Sequence, residues 1–481
     1  MTRSADLELA AAFRRASPRL NPQPIAPLGG AIVAGAAALW IAAFAAAVLG
    51  HGLAAWSVGV AFIAYDLAHL TFVAIQARKL FAPPESPPEG PPMRVAVIVA
   101  AYNEAAALGP TLAALLAQTS PPEEIWLADD GSQDGSAAVL AQLYGLAPPA
   151  LGEAAASPVA ASLRWLRLPH RGKALALNAA LGRVQAPVVV TVDADTQLAP
   201  DAIAVIRRAF AHDPALVVGG GVLEPRCRCG ALAQALQAFQ RFEYVRNFLA
   251  RFAWSQLDAL LLISGAFAAF RVADVREVGG FDPQSLVEDY ELIHRLHLRA
   301  RDRGGIARVR ILGAAFATTD APATLAAFLR QRRRWFAGFL QTQYWNRGII
   351  GAPRYGALGL AMLSFKCLDA AAPIFGLTSF AVLLAFVATG QIGVLLPATG
   401  LALAKLGFDL VNMAYSVEAY RRWTGARTPR RLGSAALCLL LEPFTFLPLR
   451  QIGATLGWGA FLAGRLEWRP DGVATPMRAP E

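Results

Sequence analysis

The chain has 481 residues, enough for two or three domains, but 56% of them are hydrophobic and only 16% charged, a balance outside that of a fully soluble enzyme. Its four cysteines (Cys227, Cys229, Cys367, Cys438) are too few for a disulfide scaffold, and the pair at 227 and 229 lacks the usual zinc-ligand spacing, so they read as reduced thiols. A formal net charge of +10 raises nucleic acid as a partner, yet the arginines lie beside long apolar runs, the pattern of membrane topology, so no nucleic acid is expected.

In chain order, residues 1–28 read as a cytosolic N-terminal tail carrying Arg3, Arg14, Arg15 and Arg19. Ala31 to Leu49 is free of charge and Leu53 to Ile75 is nearly as apolar, so each meets the roughly 20-residue length of a membrane-crossing helix. Together they predict a transmembrane hairpin over 29–78. A cleaved signal peptide fits poorly, because the first apolar run exceeds the roughly 7 to 15 residues of a signal core. Arg78 and Lys79 follow the hairpin while the turn around His51 has no Lys or Arg, which places both ends in the cytoplasm and the chain in the cytoplasmic (inner) membrane. Residues 79–92 form a Pro-rich linker, FAPPESPPEGPP from Phe81 to Pro92.

From Met93 the pattern changes to alternating strands and helices: Arg94 to Ala101, Glu124 to Ala128, Leu163 to Leu168 and Val188 to Val192 as buried strands, with helices at Leu108 to Gln118, Ala137 to Tyr144 and Ala174 to Leu181. This predicts a Rossmann-like parallel sheet with helices on its faces, with Ala147 to Ala161 a surface loop. Ligands of such sheets sit at the carboxyl ends of the strands, where the unusual polar clusters fall. They are Ala101-Tyr102-Asn103-Glu104, Asp129-Asp130-Gly131-Ser132-Gln133-Asp134, His170-Arg171-Gly172-Lys173, and Asp193-Ala194-Asp195. A DDGS run also makes a good turn and helix cap, and Asp-x-Asp a solvated loop, but four such clusters at successive strand ends together supply what a nucleotide diphosphate requires. Asp195 is the better ligand for Mg²⁺ or Mn²⁺, Asp193 faces the nucleotide's sugar or a metal-bound water, Lys173 places a charge on phosphate, and Asp129 or Asp130 accepts from a base imide.

Farther on, Ile263-Ser264-Gly265-Ala266 ends an apolar segment, and Val287-Glu288-Asp289 opens a helix pattern. The two acids complement a helix dipole, or one of them is the general base that takes the proton of an attacking hydroxyl; Asp289 is the preferred base and Glu288 the structural partner. Gln331-Arg332-Arg333-Arg334-Trp335, among Leu325, Phe328, Leu329, Phe336 and Phe339, predicts an amphipathic interface helix near 323–345. Its arginines would hold a diphosphate leaving group and Trp335 a pyranose face. Residues 93–350 thus read as a cytosolic catalytic domain and 351–464 as a C-terminal membrane region, followed by a tail, 465–481. Apolar runs at Ala371 to Thr389 and Gly393 to Met413 read as spans, with Arg421, Arg422, Arg427, Arg430 and Arg431 cytoplasmic after them; Ala435 to Phe461 is ambiguous, being broken by Glu442, Pro443, Pro448 and Arg450. Asp66 with His69, and Lys366 with Asp369, sit three apart on helical faces near the membrane and read as packing or interfacial pairs.

The ordered set AYNE, DDGSQD, GKALALN, DAD, SGA, VED and QRRRW, over about residues 93 to 345, resembles membrane-embedded inverting glycosyltransferases of family 2, similar to cellulose, hyaluronan and poly-N-acetylglucosamine synthases. The resemblance implies an α/β GT-A nucleotide-sugar-binding domain flanked by α-helical transmembrane segments. It assigns Asp129 or Asp130 to uracil, Asp195 to Mg²⁺ or Mn²⁺, Asp289 to the base, and Gln331, Arg334 and Trp335, with Arg332, Glu288, Ser264 and Gly265, to the acceptor and diphosphate end. Ala101, Tyr102, Glu104, Lys173 and Asp193 complete the donor site. The implied reaction moves a hexose or N-acetylhexosamine from a UDP-sugar, with inversion, onto a growing β-linked polysaccharide, processively and coupled to export; the alternative is a single addition to a lipid acceptor. Separate export or regulatory subunits fit either, and a cyclic-dinucleotide sensor domain is not expected within this chain. Val287 departs from the threonine that often precedes the ED pair.

Overall fold

The computed structural model describes residues 2–82, 93–227, 230–427 and 431–464, with side chains from residue 7 onward. The Pro-rich stretch 83–92, Cys229, Arg3, Arg430 and the tail 465–481 lie outside the described residues or side chains. The chain begins with α1 (Thr2–Ala16), α2 (Pro27–Leu49) and α3 (Ser57–Ala77). It continues through β1 (Val95–Ala101), α4 (Ala105–Leu116), β2 (Glu124–Asp129), α5 (Ser136–Tyr144), β3 (Ala154–Ala156), β4 (Leu163–Arg167), α6 (Lys173–Leu181), β5 (Val188–Asp193), β6 (Thr196–Leu198) and α7 (Ala202–His212). Then come β7 (Leu216–Arg226), α8 (Ala231–Ser255), β8 (Phe267–Arg271), α9 (Val272–Glu277), α10 (Glu288–Asp302), β9 (Arg308–Asp320) and α11 (Leu325–Trp345). The last helices are α12 (Leu363–Ala388), α13 (Ile392–Trp423), α14 (Leu432–Leu441) and α15 (Phe446–Leu462).

The strands form one mixed sheet in the order β3-β4-β2-β1-β5-β8-β7-β9-β6. The sequence predicts parallel pairing, and β4, β2, β1 and β5 follow it; β8 then pairs antiparallel with both β5 and β7. The segment expected to be a loop at 147–161 contributes β3, a short antiparallel edge on β4. Continuous apolar runs such as VAVIVAA in β1 are buried on both faces, as strands covered by helices must be. From β1 the chain moves outward to β2 and β4, whereas β5 lies on the opposite side. The crevice between β1 and β5 is therefore a topological switch point. Register brings the motifs level: Ala101 pairs with Asp129 and Ala100 with Asp193.

Four apolar helices are long enough to cross a membrane among the described residues: Pro27–Leu49, Gly52–Phe81, Leu358–Ala388 and Ile392–Trp423. Their outward faces carry Leu49, Leu396 and Val411 at 74–78% exposure, a belt that water would penalise and lipid would not. The ambiguous last segment is a helix pair, Leu432–Phe444 and Phe446–Leu462, bent by 53°. Proline at 443 interrupts the hydrogen-bond ladder at the bend. The ionisable residues in this bend have partners: Glu442 is buried against Arg246 of α8 at 2.5 Å, and Arg450 reaches Glu243 at 3.4 Å. Lys366 pairs with Asp369 at 2.5 Å as the spacing suggests, and Asp66, three residues before His69, pairs with Lys405 of α13 at 2.7 Å. Residues 1–28 are not a free tail either, since α1 docks beside α9 of the α/β domain with Leu9 and Ala12 buried.

Candidate active site

At the switch point, strand ends and the turns after them converge. The turn after β1 places Asn103 in the left-handed region (φ 56°), which its short amide side chain tolerates. Its backbone N–H donates to Ser132 Oγ, its Oδ1 accepts from Gln133 N, and Ala105 N donates to Asp134, so the AYNE and DDGSQD turns are latched together. The two adjacent aspartates have different jobs. Asp129 is buried and accepts from Ser132 N (2.8 Å) and Trp165 Nε1 (3.1 Å), which ties it into the loop and core. Asp130 lines the cleft and accepts from Arg171 N and Gly172 N, both at 2.9 Å, with His170 Nδ1 at 2.8 Å. Gly172, at φ 101°, makes the turn that aims these amides and starts α6 at Lys173. The His170 ring stacks on Tyr102 with centroids 4.0 Å apart. Sequence reasoning noted His170 only as part of a run, and its adjacency to Gly172-Lys173 was the one signal available.

Lys173 Nζ lies 2.6 Å from Asp193 and 3.3 Å from Glu288, so the Asp-Ala-Asp cluster and the Glu288-Asp289 pair share one cation. Burial alone would lower this ammonium, but Asp193, Glu288 and Asp289 override it and hold its pKa above the ordinary value. Asp195 accepts from Thr196 and Thr319 hydroxyls at 3.2 and 3.3 Å. Burial, then repulsion from Asp193 and Asp320, pushes Asp195 up to about 6; burial, then Asp195 and Asp193, pushes Glu104 up to about 7. The neighbourhood therefore holds more carboxylate than its cations neutralise. Among the described residues no three His, Cys, Asp or Glu side chains converge as a ready-made metal cage.

Two cavities meet here. One, of about 380 Å³, is lined by Ala101, Tyr102, Glu104, Asp130 and Lys173 at the ends of β1 and β2 and the start of α6. The other, of about 390 Å³, is lined by Ser264, Gly265, Asp289, Gln331 and Trp335 and extends to Lys366 of α12. Lys173, Asp193, Asp195, Glu288 and Arg334 line both, so the chambers are continuous. Asp289 stands at the first turn of α10, where Oδ2 accepts from Gly265 N at 2.6 Å and Oδ1 from its neighbour Tyr290 N at 2.8 Å. Burial and then Glu288 push its carboxyl up to about 6, against the pull of Lys173 and the two amide bonds. Val287, where a threonine hydroxyl is often found, packs its methyl groups toward Gly338 of α11.

The interface helix α11, capped by the Thr324 side chain on Ala327 N, divides its basic run. Arg334 faces both chambers and donates to Leu286 O at 3.1 Å, and Gln331 keeps a buried Oε1 with no hydrogen-bond partner among the described residues. Arg332 corrects the sequence expectation. It does not line either chamber but is buried, with both Nη atoms on Glu243 at 2.8 and 2.7 Å and its guanidinium 4.7 Å from the Trp335 ring. A helix turns about 100° per residue, so successive arginines cannot share one target. Arg251 was missed entirely. It lies on one face of α8 with Tyr244, Asn247 and Phe248, all lining the second chamber, and among the described residues its guanidinium meets the Phe248 ring but makes no hydrogen bond or ion pair. No short motif marks it; only the i, i+3, i+4, i+7 spacing of polar and aromatic residues hints at a shared face. Thr319 and Asp320, at the carboxyl end of β9, also line this chamber and were not singled out.

Comparison with known proteins bears on the family and the fold. The model for glycosyl transferase family 2 matches residues 96–279, and that for glycosyl transferase family group 2 matches 188–397. Poly-beta-1,6-N-acetyl-D-glucosamine synthase of Staphylococcus aureus (strain COL) is 29% identical over 246 residues, 51% of this chain and 54% of the relative. The synthase of the same description from Staphylococcus epidermidis is 26% identical over 257 residues, 52% of this chain and 57% of the relative. The chain thus spans about half the length of the curated relatives it matches. A mannosyltransferase from Pyrobaculum calidifontis, solved in complex with GDP-Man and Mn²⁺, superposes with a TM-score of 0.54 at 20% identity, covering 81% of this chain and 99% of that one, which shows the fold. The matched segments begin in β1, run through the strand-end clusters and end in the membrane helices, so the chain belongs to glycosyl transferase family 2, with a GT-A domain between apolar helices.

Proposed function

We propose that the protein transfers a hexose or N-acetylhexosamine from a UDP-sugar, with inversion, to a growing β-linked polysaccharide, processively and coupled to export through its membrane helices. The observation that carries this reading is the position of Asp289. It lies where a donor-sized chamber opens into a second chamber walled by Trp335 and Lys366, held by Gly265 N and away from the nucleotide end. An acceptor hydroxyl entering from the membrane side meets a carboxylate whose pKa suits proton abstraction near neutral pH. Attack from that side, opposite the nucleotide, is a single displacement and inverts the anomeric carbon. The similarity to poly-beta-1,6-N-acetyl-D-glucosamine synthases supports a polymer product.

In this mechanism Tyr102, stacked on His170, and Asp130 receive the base, and Lys173, paired with Asp193 and Glu288, orients the phosphates. The donor set fits Mg²⁺ or Mn²⁺: Asp195, with Asp193 and Glu104 nearby, supplies hard oxygen ligands whose mutual repulsion a cation would relieve. When bound, the ion would neutralise charge on the departing diphosphate. Arg334 contributes fixed positive charge between the chambers, Gln331 offers its unpaired Oε1 to an acceptor hydroxyl, and Trp335, backed by Arg332, presents a ring to the acceptor sugar. The catalytic domain, α1 and the ends of the hairpin would lie in the cytosol, with the helices in the cytoplasmic membrane.

The deciding experiment incubates the purified protein with labelled UDP-glucose or UDP-N-acetylglucosamine and Mn²⁺ or Mg²⁺, followed by product sizing. A ladder of long products is expected; products that never exceed one added sugar would refute processivity. Lys366, a membrane-helix residue in the acceptor chamber, keeps the second reading in view, transfer to a lipid, for which a butanol-extractable labelled product is the signature.

A further inference from the structure

One feature of the sequence is not absorbed by the reaction just described: the basic residues before the first membrane helix. Arg14 and Arg15 are exposed, as charges that only report topology should be, but Arg19 is not free. Its Nε and Nη2 grip the two oxygens of Asp282 at 3.1 and 3.3 Å, and the Asp282 side chain is 0% exposed. The same guanidinium lies 5.5 Å from the Phe13 ring of α1 and 5.6 Å from the Trp345 ring at the end of α11. Phe13 itself sits under the fully buried Arg295 of α10 at 4.9 Å. Three elements distant in sequence are thus fastened at one side chain.

Asp282 begins the loop that delivers Glu288 and Asp289. Its neighbour Phe281 is clamped by Asn178 of α6, whose amide accepts from Phe281 N and donates to Phe281 O, each at 2.8 Å. Asp282 accepts from Gln284 N at 2.9 Å, Gln341 of α11 bonds Gln284 O and Leu286 N at 3.1 Å, and Arg334 bonds Leu286 O. Pro283, Ser285 and Leu286 then form a wall of the donor chamber. A carboxylate buried this deeply is costly without its cation, so loss of Arg19 leaves a charge that the loop must move to rehydrate.

We infer that Arg19 is a positioning residue for sugar transfer: through its two-pronged bond to Asp282 it sets the 282–289 loop, and with it Asp289, against the interface helix. The inference rests on the transfer reaction proposed above. It gives the segment before the membrane a part in the active site, beyond marking orientation.

The test uses the full chain in detergent, comparing wild type, Arg19→Met and, as a control for lost charge alone, Arg15→Met. For Arg19→Met kcat is expected to fall about 10- to 100-fold, as small misplacements of a catalytic group do, with donor KM within about twofold. Amides from 284 to 290 are expected to exchange with deuterium faster, and Arg15→Met to change neither reading. A kcat within about twofold of wild type, a loss confined to KM, or unchanged exchange in this loop overturns the inference. If Arg19→Met does not fold, Arg19→Lys, which keeps the charge but not the fork, is read the same way with a smaller effect. If the wild type transfers no sugar from any UDP donor, the proposed function fails while the exchange comparison still decides the clamp.

Discussion

Asp289 shows how a single carboxylate acquires a chemical task from its surroundings. Burial and Glu288 raise it, two amide bonds and Lys173 restrain it, and the balance leaves it near 6. A base must be ionised, so transfer is expected to be constant above about 6 and to fall about tenfold per pH unit well below it, read as kcat against pH. Asp289→Asn removes the proton acceptor and keeps one of the two amide contacts, since its Nδ2 cannot accept; it should cost about 10²- to 10⁴-fold in kcat and leave UDP binding, followed by calorimetry, unchanged. Asp195→Ala should act at the other end, weakening UDP binding in the presence of Mn²⁺ but not in chelator, because without the ion that carboxylate only repels phosphate. At this scale the sequence was informative wherever a residue sits at a strand end, since register brings Asp129 level with Ala101 and Asp193 level with Ala100. It could not separate Asp129 from Asp130, because which of two neighbours turns inward to Trp165 depends on a partner 36 residues away.

Among the elements, α11 carries the junction between catalysis and membrane. Arg332 and Glu243 form a buried two-pronged pair, and Arg450 and Arg246 also act on Glu243, so that although burial pushes this carboxyl up, the arginines hold it below its ordinary value. Removing one partner of such a pair leaves an uncompensated buried charge; Glu243→Ala is expected to destabilise by about 3–5 kcal/mol, seen as a lower Tm in detergent, and to disturb Trp335 through Arg332. The bent α14–α15 pair explains its own composition. Gly453 lies against α11 so closely that a Cβ would come 2.6 Å from the Arg332 Cβ, so Gly453→Val should force the helices apart and lower activity together with stability. Glu442 and Arg450, foreign to a plain membrane span, are the tethers of this pair to α8. Apolar counting along the chain sees only an interrupted span, since the partners lie some 200 residues away.

For the whole molecule, the ion pair between Arg19 and Asp282 puts the N-terminal segment on the same side of the apolar helices as the catalytic domain. An odd number of crossings between them is therefore excluded. A short tag inserted at the turn around His51 should be reached by an impermeant reagent from the opposite side to tags placed at residue 15 or at residue 426. Same-side labelling of all three would contradict the hairpin. For the proposed reaction this architecture gives a direction of traffic: one chamber opens on the sheet, the other extends to Lys366 on a membrane helix, and Arg334 of α11 lines both.

By itself the sequence determined the class of the molecule, because apolar length, strand-and-helix alternation and acids at strand ends are local properties set by period and spacing. Four membrane spans, the Rossmann-like half of the sheet and the strand-end clusters were all legible that way. Tertiary structure alone decided which arginine lines the site and which supports it, that β8 runs antiparallel beside β5, that Arg251 lines the chamber of Asp289 and Trp335, and that Arg19 is bound to the loop carrying Asp289. Each of these depends on what a side chain meets after folding, on burial and on a counter-charge far away in the chain, and no window along the sequence contains that information.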